Sequence, residues 1–133
     1  MTCRASKMRT VLMFSAILAT APAWAGWTLV KSADGSSHYV DPLTLRTSGH
    51  IRRISELTST TLSSKGGAAS HRMVVEYDCK DERYRLLQLT AFTGPMGTGA
   101  VFGAVDYPAG AAEWHPASPG TVAADALRVV CAL

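Results

Sequence analysis

The most regular pattern in the chain is the alternation from Ser70 to Cys79. Met73, Val75, Tyr77 and Cys79 recur at period two on one side, with Arg72, Val74, Glu76 and Asp78 on the other. Successive side chains of a strand point to opposite faces, so the segment reads as a half-buried strand with the Cys79 sulfur on its apolar side. Trp27 to Val30 and Ser37 to Asp41 flank Ala33-Asp34-Gly35-Ser36, and Asp-Gly is a strong signal for a tight hairpin. Pro42 is expected to end the second of these runs, because proline has no N–H to give a ladder. His50 to Leu62, rich in Ile, Thr and Leu, predicts another strand, and Ser63-Ser64-Lys65-Gly66-Gly67 a flexible turn. Lys80-Asp81-Glu82 turns the chain into Arg83 to Thr93, a run whose two faces are both mixed and whose inner face the pattern leaves open. Gly94 to Gly99 predicts a second flexible turn and Ala100 to Val105 a further strand.

The period changes after Tyr107. Ser118 is a candidate N-cap with Pro119 at the first helical position, an arrangement that starts helices well. Ala123, Ala126, Leu127, Val130 and Cys131 then share one helical stripe, with Asp125 and Arg128 opposite. Two independent periodicities aim Cys79 and Cys131 at apolar faces. An α+β domain satisfies both: an antiparallel sheet of about five to six strands, with a C-terminal helix packed on one face and tethered by a Cys79–Cys131 disulfide.

Residues 1–25 change the cysteine arithmetic. A basic stretch holding Arg4, Lys7 and Arg9 precedes the apolar run Thr10 to Ala21, and Ala23-Trp24-Ala25 has the small-x-small form that signal peptidase accepts. The apolar run is shorter than the roughly 20 residues a membrane-spanning helix needs. The segment therefore reads as a removed signal peptide, leaving residues 26–133 as one domain. Cys3 leaves with it, and no cysteine stands at the cleavage point for a lipid anchor. The two remaining cysteines are expected to pair in an oxidising compartment. The formal charge of +3 comes from 13 basic and 10 acidic residues, and removing the three leader cations leaves ten of each. That balance speaks against a nucleic-acid partner, and the domain is read as periplasmic, secreted or at the cell surface without membrane insertion.

Candidate chemistry is sparse. His38, His50, His71 and His115 show no i, i+4 or strand-spaced ligand pair. They are read as surface or turn residues, with convergence of His38 and His71 across strands as a zinc, copper or general-base alternative. Serines lack a G-x-S-x-G elbow, Asp81-Glu82 reads as a solvated turn, and Gly94 to Gly99 lacks the Lys-Ser/Thr ending of a phosphate-binding loop. No catalytic residue, metal site or cofactor is assigned. Arg72, Lys80, Arg83 and Arg85 are the candidate binding residues, although Glu76, Asp78, Asp81 and Glu82 interleave with them and favour a solvated mixed face. Trp27 and Trp114 read as packed aromatics.

An ordered set of short motifs remains: Tyr39-Val40-Asp41-Pro42, Glu76-Tyr77-Asp78-Cys79, Arg83 and Arg85, and Gly94-Pro95-Met96-Gly97-Thr98-Gly99. Trp114-His115-Pro116, Pro119-Gly120-Thr121 and Val130-Cys131 complete it. This order, over residues 27–131, resembles the surface-adhesin protein E family of proteobacteria. The resemblance implies a small antiparallel sheet with its C-terminal helix held by the Cys79–Cys131 bridge. The family's namesake is an outer-membrane adhesin that binds host matrix proteins and can dimerise. The expected function is thus that of an exported, non-enzymatic protein acting by contact with a host matrix or envelope protein, or with a second copy through a sheet edge. The alternative is a periplasmic module holding a small apolar ligand between helix and sheet.

Overall fold

The computed structural model describes residues 26–61 and 67–133. The expected leader, and most of the turn expected at Ser63 to Gly67, lie outside these residues. Six main strands follow one another as an antiparallel meander: β1 (Thr28–Ala33), β2 (Ser36–Ser48), β3 (Ile51–Thr60), β4 (Ser70–Asp78), β5 (Arg83–Phe92) and β6 (Val101–Asp106). A two-residue strand, β7 (His115–Pro116), pairs with the start of β5, and α1 (Val122–Cys131) closes the chain. The α+β class and the disulfide read from the sequence are both present.

Local chemistry explains most of the turns. Asp34 and Gly35 both take positive φ, 52° and 74°, as a two-residue hairpin turn requires. Asp78 closes the β4–β5 hairpin by accepting the Lys80 and Asp81 N–H groups at Oδ1, 3.1 and 3.2 Å away. The Gly94–Gly99 connection is tied to the sheet by side-chain hydrogen bonds. Ser70 donates from Oγ to the Gly94 carbonyl (2.6 Å) and accepts the Gly97 N–H (2.8 Å), while Ser59 accepts the Met96 N–H (3.0 Å).

Two boundaries differ from expectation, and a bulge sets the inner face of Arg83 to Thr93 that the pattern left open. Pro42 does not end β2. The strand passes through it by bulging, with residues 42–45 set against the single residue between Ser55 and Arg53. Within the bulge the Thr44 hydroxyl accepts the Ser55 N–H (2.9 Å) and donates to the Asp41 carbonyl (2.8 Å), so both backbone groups beside the proline stay paired. In β5, Val74 pairs with Gln88 but Val75 with Leu86, so Leu87 is an extra residue. The bulge shifts the alternation by one, and Tyr84, Leu86 and Leu89 all end on the face of Val75. The cap of α1 is Thr121, not Ser118. The Thr121 hydroxyl accepts the Ala124 N–H (3.2 Å) and donates to the Ser118 carbonyl (2.6 Å), while Gly120, at φ 82°, makes the turn between them.

The core lies between α1 and one face of the sheet. Val40, Ile54, Val75 and Tyr77 pack with Ala126, Leu127 and Val130, all of them buried. Cys79 and Cys131 stand 5.8 Å apart at Cα and join the helix end to the sheet. Lys31 reaches Asp125 at 3.1 Å, and Arg128 pairs with the same carboxylate.

Candidate functional site

On the face of the sheet away from α1, strand register lines up four charged residues from four strands. Arg46 of β2 pairs with Arg53 of β3, Arg53 with Glu76 of β4, and Glu76 with Arg85 of β5. Glu76 is buried, and its oxygens divide between the two neighbours. Oε1 accepts Arg53 Nε (3.0 Å) and Nη2 (2.7 Å), and Oε2 accepts Arg85 Nε (2.7 Å). Burial alone would raise the Glu76 pKa. The hydrogen bonds and charges of Arg53 and Arg85 outweigh it and hold the carboxyl below its ordinary value.

Arg85 also donates from Nη1 to the Ala109 carbonyl (2.7 Å), and its guanidinium carbon lies 4.5 Å from the centroid of Trp114. Arg83 lies 4.8 Å from the same ring and pairs with Asp78 at 3.1 Å. Both distances fall within the range of cation–π attraction. For Asp78, too, burial pushes the pKa up. The Asp81 N–H, the Arg83 side chain and the Lys80 N–H together bring it down. A groove of about 350 Å³ opens beside the row, lined by Arg46, Arg53, Glu76, Arg85 and the β2–β3 hairpin.

The four candidate binding residues thus separate. Arg83 and Arg85 share Trp114. Arg72 lies elsewhere, 5.9 Å from the Trp27 ring and 5.7 Å from Phe92. A side chain at Gly97 would begin 3.1 Å from the Arg72 Nη2, at a φ of 71° that already favours glycine. Lys80 stays exposed in the β4–β5 turn. Arg46 and Arg53 were not singled out from the sequence. The signal for them is the hairpin around Gly49, whose pairing of Ser48 with Ile51 sets Arg46 opposite Arg53.

The helix face holds a second polar group. His38 is buried rather than at the surface, and its Nδ1 lies 2.9 Å from the Thr58 hydroxyl. Its Nε2 is 2.9 Å from Glu56 Oε2, an ion-pair distance without hydrogen-bond alignment. Tyr77 donates its hydroxyl to Glu56 Oε1 at 2.5 Å. Burial first, then the Glu56 charge and hydrogen bond, push the Tyr77 pKa far upward. Thr58 pairs with His38 on one side and His71 on the other, so the two histidines lie in one row with a threonine between them. His50 is exposed in the β2–β3 turn, and His115 is exposed on β7 with its ring 5.8 Å from Tyr84. Among the described residues, no group of three or more His, Cys, Asp or Glu is placed to hold a metal. A cavity of about 180 Å³ lies beside the polar group, lined mainly by Met73, Val75, Tyr84, Leu86 and Ala123.

The third feature is the β6 edge. All six residues of the strand are exposed, with Val101 at 61%, Phe102 at 60% and Val105 at 43%. Among the described residues β6 pairs with β5 alone, so its outer edge offers backbone groups without a strand partner there.

The model of the family described as surface-adhesin protein E matches residues 27–132. The chain belongs to this family. Solved structures agree at the level of the fold. One crystal form of Haemophilus influenzae protein E superposes with a TM-score of 0.61 at 14% identity, over 92% of this chain and 97% of that one. Protein E from non-typeable Haemophilus influenzae gives 0.54 at 12% identity, over 94% and 86%. None of the curated proteins matches this family member in sequence. Among its described residues no helix is long and apolar enough to cross a membrane.

Proposed function

We propose that this member of the surface-adhesin protein E family is exported and works as an adhesin-like protein through protein–protein contact, not catalysis. In this reading residues 1–25 are a removed leader, and residues 26–133 act in the periplasm or at the cell surface without a lipid anchor. The partner is a host matrix or envelope protein, and a second copy of the chain can join through a sheet edge. The observation that carries the reading is β6, a wholly exposed edge strand bearing Val101, Phe102 and Val105. Such an edge favours strand addition, in which main-chain hydrogen bonds supply affinity and alternate side chains supply selectivity.

The test is affinity capture on the immobilised protein, probed with purified host matrix proteins and with envelope proteins. Saturable binding that is lost in Phe102→Lys supports the reading. No binding from either source overturns it.

A specific observation favours a second reading, a small apolar ligand held between helix and sheet. The cavity of about 180 Å³ beneath α1 is lined mainly by apolar side chains, and an apolar cavity of about 150 Å³ suffices to bind benzene. Native mass spectrometry separates the readings, since a resident ligand adds mass to the folded protein.

A further inference from the structure

The arginine row has a feature that a solvated mixed face lacks. Its one acidic member is already fully engaged, while its cations keep unused donors. Glu76 is spent on Arg53 and Arg85. Among the described residues Arg46 donates only to the neighbouring Leu45 carbonyl, at 3.1 Å. Three guanidiniums against one carboxylate leave the groove with two net positive charges. Arg85 is fixed from three sides, by Glu76, by the Ala109 carbonyl and by Trp114. A guanidinium held in this way loses little freedom on binding.

We infer that this groove, lined by Arg46, Arg53 and Arg85, is a recognition site for a short acidic peptide segment of a protein partner. The inference rests on the protein-contact reading and gives it a partner chemistry.

Three observations favour a short peptide over a long polyanion. The cations are all arginines: among the described residues Arg46 engages only Nη1, which leaves its Nε–Nη2 fork to match a carboxylate with two parallel hydrogen bonds, and Arg53 keeps Nη1 beyond its contact with Glu76. The positive charge is confined: Asp78 and Asp81 flank Arg83 on one side, and Asp106 pairs with Gln88 further along the sheet, so an extended sulfated chain would meet carboxylates. Spacing agrees as well. Arg53 and Arg85 grip the two oxygens of one carboxylate, which sets their guanidiniums roughly 7 Å apart, the spacing of side chains two residues apart on one face of an extended peptide. Trp114, half-buried beside Arg85, offers an apolar platform for a neighbouring residue.

The test titrates the purified protein with a synthetic peptide carrying two glutamates two residues apart, so that both lie on one face of the extended chain. The same peptide with glutamines and a heparin-derived tetrasaccharide serve as comparisons, and the Arg Nε–H resonances are followed by NMR. The glutamate peptide is expected to shift Arg53 and Arg85 saturably and the glutamine peptide to shift neither. Arg53→Gln should weaken binding about tenfold, the loss of one charge-assisted contact. Arg46→Gln, which removes no ion pair seen in the fold, should weaken it about threefold by the same measure. Equal binding of the glutamine peptide, indifference to both variants, or tighter binding of the tetrasaccharide would overturn the inference. Capture of protein partners on the same variants separates the two levels. A partner held equally by wild type and Arg46→Gln/Arg53→Gln removes the groove and keeps the contact reading, whereas no partner for the wild type removes that reading itself.

Discussion

Glu76→Gln probes the arginine row by stability and by pH together. The carboxylate is 5% exposed and receives three hydrogen bonds from two guanidiniums, at 3.0, 2.7 and 2.7 Å. Charge-assisted bonds contribute about 1.5–3 kcal/mol each when their partners are dry. Here the Arg53 side chain is 48% exposed and rehydrates readily, whereas Arg85 is 19% exposed. The glutamine keeps one acceptor but turns an amide N–H₂ toward an arginine, so the net loss at neutral pH should be about 2 kcal/mol. With a urea slope of roughly 1.5 kcal/mol/M, the unfolding midpoint falls by roughly 1.3 M. The Glu76 pKa is lowered by folding, so its stabilisation is fully present above the ordinary value of 4.5 and disappears as pH falls through the folded value. The difference between wild type and variant should therefore shrink steadily below pH 4.5. Asp78, also lowered, is common to both proteins and cancels. Urea melts of the two proteins across pH 7 to 3 read the effect directly. A gap that is absent at pH 7, or that stays constant into acid, would refute the reasoning.

Other substitutions test the helix face. Leu127→Ala empties a buried position under α1 and should cost about 2–5 kcal/mol in chemical denaturation. Tyr77→Phe keeps the ring but withdraws the hydroxyl from the buried Glu56 carboxylate, a loss of about 1–3 kcal/mol that thermal melting would register. Replacing Cys79 and Cys131 by serine opens a loop with a sequence separation of 52, and the chain-entropy relation puts the destabilisation at about 4 kcal/mol. Comparison of the double variant with the oxidised protein in urea checks that figure.

Particular residues show how far the sequence carried. The Asp34-Gly35 turn, the alternation of β4 and the stripe on α1 are local signals, and each produced the expected element and aimed each cysteine inward. Local signals fail where register intervenes. The extra residue at Leu87 exchanges the faces of β5 midway, so no single alternation could fit Arg83 to Thr93. Pro42 sits in a bulge where the Thr44 hydroxyl, not a backbone carbonyl, accepts the Ser55 N–H, a side-chain contact that backbone rules do not anticipate. His38 and Glu56 lie on the apolar face because each stands two residues from a core position, Val40 and Ile54 respectively. The polarity of His38 argued for the surface; hydrogen bonding of His38 to Thr58 and of Glu56 to Tyr77 makes their burial tolerable. The candidate site was half legible: Arg83 and Arg85 stand close in sequence, while Arg46 and Arg53 join them only through strand pairing.

The tie between the last helix and the sheet underlies the fold, and the proposals of export and of protein contact are built on it. Non-reducing peptide mapping of the protein recovered from its own cell envelope, alkylated before digestion, tests it most directly. One linked peptide pair containing Cys79 and Cys131, separating only on reduction, is the predicted result. Folded protein with both cysteines alkylated would contradict the account.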